Sequence, residues 1–150
     1  MLPARQIIRQ GGAGAAERVV LSYDERFLRR KRLICESGAS VMVDLAETVS
    51  LEDGDALVTD AGQRVAVVAA QEPVIEVRGP NLARLAWHIG NRHTPCQVDE
   101  GHLVIRRDHV LEAMLRGLGA DLTPVIAPFR PEGGAYGHGR TMGHDHFHGH

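Results

Sequence analysis

The chain has few aromatic residues, few cysteines and no excess charge of either sign. Phe, Trp and Tyr make up 4% of its 150 residues, so a hydrophobic core must be built mainly from aliphatic side chains. Cys35 and Cys96 lie far apart and form no CxxC pair, which argues against a secreted disulfide scaffold and favours a cytoplasmic protein. A net charge of −2 with mixed signs predicts no nucleic-acid surface. No apolar run reaches the ~18 residues of a membrane helix, so no membrane partner is expected.

Residues 1–72 have the pattern of short strands separated by turns. Stretches rich in aliphatic residues alternate with turn sequences such as SGAS, EDGD and DAG, and no helical period is present. This pattern predicts a small, mostly antiparallel β domain. The charged stretch 24–32 is interpreted as a solvated connection between strands. The predicted strands are residues 5–10, 17–23, 31–36, 40–47, 55–60 and 63–71.

Residues 73–130 combine strands with two amphipathic helices. Aliphatic residues at i, i+3, i+4 and i+7 predict the first helix, which Gly90 or Asn91 can end in the left-handed conformation. Asp108 is the predicted N-cap of the second helix and Gly119 is expected to stop it. The predicted elements are strand 73–79, helix 81–91, a pair of strands within 97–107, helix 109–119 and strand 121–128, whose proline suits a sheet edge. The β-α-β-β-α-β order indicates a ferredoxin-like domain and hence an α+β chain.

Residues 131–150 form a predicted disordered tail that is rich in histidine. They contain no apolar period and six glycines, so they cannot bury enough surface to offset the entropy of ordering. Imidazoles on an extended chain can gather around one Ni²⁺, Zn²⁺, Cu²⁺ or Co²⁺ ion, with modest affinity because nothing pre-organises them. An expression tag and a low-complexity end without a role are the alternatives. The tail histidines are His138, His144, His146, His148 and His150.

A second candidate metal site lies in the sequence HIGNRH. His88 lies in the first helix and His93 in the loop after it, and each is either a ligand or a surface residue at a helix end. Cys96 follows His93 at an H-x-x-C spacing that can chelate a metal, but a small apolar residue at the start of a strand is the stronger explanation. His109 beside Asp108 is either a ligand or part of a helix N-terminus.

The segment HIGNRHTPCQVDEGHLVIRRDHVLEAMLRGLGA, residues 88–120, resembles the central signature of the UreE family of urease accessory metallochaperones. The GNRH loop, Gln97 and the helix beginning DHVL carry the resemblance. The upstream stretches RRKRL, LEDGDALV and VVAAQEPVIEV agree with it, and a histidine-rich C-terminus is common in the family. The resemblance therefore covers nearly the whole chain.

The resemblance implies a peptide-binding-like domain over residues 1–72, a ferredoxin-like domain over 73–130 and a metal-binding tail over 131–150. Two subunits would pair through the second domain, so that one His93 from each meets at the two-fold axis. Some relatives carry a further histidine at the position of Arg107, which weakens the case for a secondary site there, and Cys96 is left out of the ligands. The predicted metal ligands are His93, His109, His144, His146, His148 and His150.

The implied function is that of a homodimeric nickel metallochaperone. It would bind Ni²⁺, and also Zn²⁺, Cu²⁺ or Co²⁺, and deliver nickel to apo-urease through a urease accessory GTPase in the urease activation complex. The chain contains no GxxxxGK[ST] or HExxH motif, so we expect no enzymatic activity of its own. The same ligands also suit a nickel or zinc storage or buffering protein. A metal-dependent hydrolase is a further alternative, which would need a folded three-ligand site with an open position.

Overall fold

A computed structural model describes residues 3–133 of the chain, which divides into two compact units between Ala70 and Gln71. Each unit has its own sheet and its own hydrophobic core, and the second also has two helices. The predicted α+β class with an N-terminal β domain is therefore confirmed. The predicted boundary after residue 72 falls two residues inside the first strand of the second unit, because Pro73 lies within that strand.

A six-stranded mixed sheet forms the first unit, with the strand order β2-β6-β5-β1-β4-β3. Its strands are β1 (Pro3–Ile8), β2 (Glu17–Leu21), β3 (Phe27–Ile34), β4 (Ser40–Ser50), β5 (Ala56–Thr59) and β6 (Arg64–Ala69). Three pairings are antiparallel, but β1 pairs parallel with β4 and β2 pairs parallel with β6. The prediction of an antiparallel domain is wrong for these two pairs. Their strands are not neighbours in the chain, and a side-chain pattern does not encode the direction of a distant partner.

Residues 24–32 also differ from the prediction. They form a 3₁₀ turn at Asp24–Arg26 and most of strand β3, which lies at the edge of the sheet, rather than a solvated connection. Leu28 and Leu33 are buried in the core, whereas the four cationic residues between them are exposed. The pairing with β4 shifts register just after Leu28, so buried and exposed residues do not alternate regularly along this strand. The sequence therefore lacks the pattern from which a strand is predicted. Charges on an edge strand discourage pairing with another chain.

A buried carboxylate ties together segments of the first unit that are far apart in sequence. The Asp55 side chain is fully buried. It accepts hydrogen bonds from the backbone N–H of Gln10 at 3.0 Å and from the backbone N–H of Glu52 at 2.8 Å. The Arg9 guanidinium donates a third bond at 2.8 Å. One side chain therefore joins the end of β1 to the turn that precedes β5.

Four strands and two helices form the second unit. They are β7 (Gln71–Arg78), α1 (Leu82–Asn91), β8 (Gln97–Asp99), β9 (His102–Arg106), α2 (His109–Gly117) and β10 (Asp121–Pro128). The sheet order is β10-β7-β9-β8, and all neighbouring strands are antiparallel. The predicted order of elements is therefore observed. Strand β10, which contains Pro124, lies at an edge, as its proline predicts.

Both helices pack on the same face of this sheet. Alternate residues of the two central strands, β7 and β9, meet one apolar stripe from each helix, which buries a single aliphatic cluster. Its fully or almost fully buried members include Ile75, Val77, Leu85, Ile89, Leu103, Ile105, Leu111 and Leu115. Within residues 3–133, neither helix is long and apolar enough to cross a membrane.

Candidate metal site

The loop after α1 holds His93 in a left-handed backbone conformation. Its φ is +57°, in a region that residues other than glycine adopt infrequently. The His93 N–H donates to the Gly90 carbonyl at 2.9 Å, and the Thr94 N–H donates to the Ile89 carbonyl at 3.4 Å. These are the two bonds of a Schellman helix end. The prediction that Gly90 or Asn91 takes this conformation is wrong, because α1 continues through both residues before it ends.

The second helix ends in the same motif, but with glycine at the left-handed position. Gly119 has a φ of +89° and stops α2, as predicted. Its N–H donates to the Arg116 carbonyl at 3.0 Å, and the Ala120 N–H donates to the Leu115 carbonyl at 3.0 Å. A histidine in this conformation costs about 1 kcal/mol relative to glycine. The chain therefore carries an imidazole at a position whose backbone conformation favours glycine.

The second predicted histidine of the folded part, His109, is the first residue of α2 and is exposed. A reciprocal cap holds this helix end in place. The Asp108 carboxylate accepts the Leu111 N–H at 3.0 Å, and the Glu112 carboxylate accepts the Asp108 N–H at 2.7 Å. The prediction that Asp108 is the N-cap is confirmed.

The Glu112 carboxylate is buried beneath this cap and also meets the Arg107 guanidinium at 3.3 Å. Burial by itself would raise the pKa of Glu112. The Asp108 N–H and the Arg107 guanidinium outweigh burial and hold the pKa of Glu112 below its usual value. Arg107 therefore belongs to the cap of α2.

Replacing Glu112 with glutamine should destabilise the protein by about 1 kcal/mol near neutral pH, because charge-assisted hydrogen bonds become neutral ones. The lowered pKa makes this contribution present above the pKa of the unfolded glutamate, at about 4.3, and removes it as pH falls through the folded value. Urea unfolding over a series of pH values measures the effect. The exposed Glu100, replaced in the same way, is the control. A Glu112→Gln effect that persists unchanged at acid pH would contradict this account.

The topology brings His93 and His109 to the same end of the second unit. The His93 loop leads into β8, and β9 leads into His109. Strands β8 and β9 are antiparallel, with Gln97 opposite Val104, so the start of β8 lies beside the end of β9. Both histidines are exposed at this end, which makes it the candidate metal-binding end of the unit.

The other two histidines of the described residues are half-buried. His88 is half-buried in α1, with its ring edge-on to Trp87 at 5.0 Å between centroids. His102 follows the β8–β9 turn, at the opposite end from His93. Its Nε2 lies 3.1 Å from Asp99 and 3.9 Å from Glu76, so neighbouring carboxylates account for its position.

Cys96 has the chemistry of a packed thiol. Burial, with a further contribution from the nearby Glu132 carboxylate, raises the pKa of Cys96 to about 11. The thiol is therefore protonated near neutral pH in the metal-free protein. Within residues 3–133, no group of three or more His, Cys, Asp or Glu side chains is arranged to hold a metal ion. The predicted ligands His144, His146, His148 and His150 lie outside the described residues.

Sequence reasoning missed how the chain continues after β10. Phe129 is fully buried. The Arg130 N–H then donates to Oε1 of Gln97 at 2.7 Å, and the Glu132 N–H donates to the Cys96 carbonyl at 2.9 Å. Arg130 and Gln97 are 33 residues apart in sequence, so no local pattern could reveal this attachment. The available signal was the aromatic residue Phe129 directly after the last predicted strand.

Both units match known protein families. Residues 1–70 match the N-terminal domain of the UreE urease accessory protein, and residues 72–150 match its C-terminal domain. The urease accessory protein UreE of Ruegeria pomeroyi is 58% identical over 147 residues, which cover 97% of this chain and 99% of the relative. The protein of the same name from Cereibacter sphaeroides is 63% identical over 145 residues, covering 95% of this chain and 79% of the relative.

A third relative, the urease accessory protein UreE of Paracoccus denitrificans, is 62% identical over 142 residues, which cover 94% of this chain and 91% of the relative. All three relatives are named as accessory proteins rather than as enzymes. The two family matches span both units and agree with the resemblance carried by the GNRH loop and the DHVL helix. This chain belongs to the UreE family of urease accessory proteins.

Proposed function

We propose that this protein is a nickel metallochaperone that binds Ni²⁺ and delivers it to apo-urease during assembly of the urease active site. Membership of a family of urease accessory proteins supports a role in urease maturation. The observation that carries the proposal is the exposed His93, held at a left-handed position where glycine would be more stable. Imidazole nitrogen binds Ni²⁺ well, as it does Zn²⁺, Cu²⁺ and Co²⁺.

The proposal includes a homodimer, because a two-fold interface presents the same side chain twice. Two His93 imidazoles then converge without a cluster of ligands in either chain, and His109 at the same end serves as an accessory ligand. Large apolar side chains exposed on both helices support this arrangement. Trp87 on α1 is 63% exposed and Val110 on α2 is 65% exposed. A second copy that packs against this helical face would remove both from water.

The tail histidines His144, His146, His148 and His150 complete the proposed site. A tethered ligand acts at an effective concentration in the millimolar range, so it can bind an ion already held by the two His93 imidazoles. Ligands supplied by separate segments can leave one at a time. Such a shell gives up its metal to a partner more readily than a rigid four-ligand site does.

The proposed partners are the urease accessory GTPase and the urease activation complex, and the proposed compartment is the cytoplasm. No nucleic acid or membrane takes part. We also assign the second unit to the ferredoxin-like class, which its β-α-β-β-α-β order and its sheet order β10-β7-β9-β8 support. The first unit would be the peptide-binding-like module implied by the family.

Nickel titration of the full chain and of a chain that ends at Glu132 tests the proposal. The full-length dimer should bind several ions, whereas the shortened dimer should keep about one, because one two-fold axis makes one site. Activation of apo-urease should depend on the protein. A storage protein predicts many ions per dimer and urease activation that is independent of it. A shortened chain that is monomeric and binds one ion per chain would refute the shared site.

A further inference from the structure

We propose that strand β3 of the first unit is a docking site for an acidic protein surface, and that its cationic side chains bind the urease activation complex. The inference rests on the proposed function, which supplies that complex as the partner. We call strand β3, Phe27–Ile34, the basic edge. Its four cationic residues are consecutive in the chain: Arg29, Arg30, Lys31 and Arg32.

The basic edge combines a firmly packed strand with an exposed, charged middle. Strand β3 is the last strand in the order of its sheet, and it pairs there with β4. Its two leucines, Leu28 and Leu33, are only 6% and 5% exposed and fix the strand to the core. All four cationic residues between these leucines are exposed. The charges are therefore presented from a strand that needs no rearrangement to bind a partner.

Most of these charges have no counter-ion within residues 3–133. Arg30 lies 3.9 Å from the Asp44 carboxylate, which is also 3.9 Å from Arg5 and is therefore shared. The other three side chains make no ion pair or hydrogen bond with any described residue; they are Arg29, Lys31 and Arg32. Like charges at neighbouring positions repel one another, so carboxylates from another molecule would bind favourably here.

Exposed apolar side chains lie at both ends of the basic edge. Phe27 is 40% exposed and Ile34 is 56% exposed. The strand has eight residues, so these two lie about 23 Å apart. Alternation places Arg30, Arg32 and Ile34 on the face opposite to Leu33. A protein surface that carries carboxylates beside an apolar patch would therefore contact both kinds of side chain at once.

The surroundings of the basic edge favour a protein over a nucleic acid. On the neighbouring strand β4, Glu47 is exposed and the Asp44 side chain is one-third exposed. The chain as a whole has a net charge of −2. A nucleic-acid surface is broadly basic, because the phosphate backbone presents a charge at every nucleotide. Charges on an edge strand also discourage backbone pairing, so the side chains rather than the backbone make the proposed contact.

The rate of association with a purified complex of apo-urease and the accessory GTPase tests the proposal. In the full chain, glutamine replaces Arg29, Lys31 and Arg32 together. Exposed charges act mainly on the association rate, so we expect this rate to fall about tenfold at low salt. The difference should disappear near about 0.5 M salt, where screening acts within a few ångströms. If the triple variant does not fold, Arg32→Gln alone should lower the rate about twofold with the same dependence on salt.

Two control variants separate the basic edge from overall charge. Arg29→Lys combined with Arg32→Lys keeps both charges and should associate at the unmodified rate. The exposed residues Arg64, Arg78 and Arg116 lie outside the basic edge, and their joint replacement by glutamine removes the same charge. This second triple variant should also associate at close to the unmodified rate.

Ile34→Ser tests the apolar end of the same surface. It should leave the association rate unchanged and raise the dissociation rate about two- to fivefold, because apolar contacts form only after the encounter.

Other results would overturn the proposal in distinguishable ways. Equal losses in the two triple variants would mean that overall charge, rather than the basic edge, governs association. An unchanged rate in the first triple variant would place the docking surface elsewhere. If that variant lost affinity for a single-stranded RNA oligonucleotide but not for the complex, the basic edge would be a nucleic-acid site. If the unmodified protein did not bind the complex, the proposed partners would fail as well, whereas nickel titration of the same proteins would still report on His93.

Discussion

Replacing His93 with alanine should abolish the single Ni²⁺ ion held by a dimer of chains that end at Glu132. One substitution removes both imidazoles of the shared site, because two-fold symmetry presents the residue twice. Loss of an outer partner of a metal ligand typically lowers affinity 10–100-fold, so we expect loss of two direct ligands to lower it at least about 100-fold. Nickel titration with a competing chelator measures the change. An ion that stays bound with unchanged affinity would show that the site is elsewhere.

His93→Gly separates the loss of the ligand from damage to the fold. Glycine removes the imidazole and adopts the left-handed conformation freely, so this variant should be about 1 kcal/mol more stable than His93→Ala while it also loses the ion.

Gly119→Ala makes the reverse change at the equivalent position of α2. Nothing lies within 4 Å of the added Cβ, so only the backbone conformation opposes it, and it should lower stability by about 1 kcal/mol.

The ion-binding measurement also needs a histidine control. His102 lies at the opposite end of β9 from the candidate site and is already paired with Asp99. His102→Ala should therefore leave nickel affinity unchanged in the shortened dimer. Equal losses from His93→Ala and His102→Ala would mean that general destabilisation, rather than ligand removal, explains the result.

Replacing Asp55 with alanine should have the largest effect on stability, lowering the free energy of unfolding by about 3 kcal/mol. The substitution removes a fully buried carboxylate that accepts the Gln10 and Glu52 N–H groups, and it removes the partner of the Arg9 guanidinium. Arg9 is one-third exposed and can turn toward water, which keeps the loss at the lower end of the range for broken buried pairs. Urea unfolding followed by far-UV circular dichroism measures it.

Asp60 provides the matched control. Its carboxylate pairs with Arg5, but both side chains are about half exposed, and a surface pair of this kind contributes about 0–1 kcal/mol. Asp60→Ala should therefore shift the unfolding midpoint only slightly. If the two alanine variants unfold alike, burial of the Asp55 carboxylate is not what holds β1 to the turn before β5.

The features of this protein that depend on residues close together in the chain could be predicted from its sequence. Apolar period and cap residues depend on neighbours within a few positions, so both helices, the Asp108 cap, the Gly119 stop and all the strands except the first half of β3 were predicted within a few residues. The GNRH loop and the DHVL helix also identified the family, which the comparisons confirm. The tail histidines are equally plain in the sequence, but they lie outside the described residues, and their role as ligands stays a prediction.

Only the tertiary structure decided which strands pair in parallel, that β3 lies at an edge, and that β8 and β9 bring His93 and His109 to one end. It also placed His93, rather than Gly90 or Asn91, at the left-handed end of α1. Each of these features depends on a partner far along the chain or on where a helix stops against the packed sheet. The attachment of Arg130 to Gln97, 33 residues away, shows most directly why the sequence did not predict these features. A hydrogen bond between residues so far apart produces no periodic pattern in the sequence around either residue.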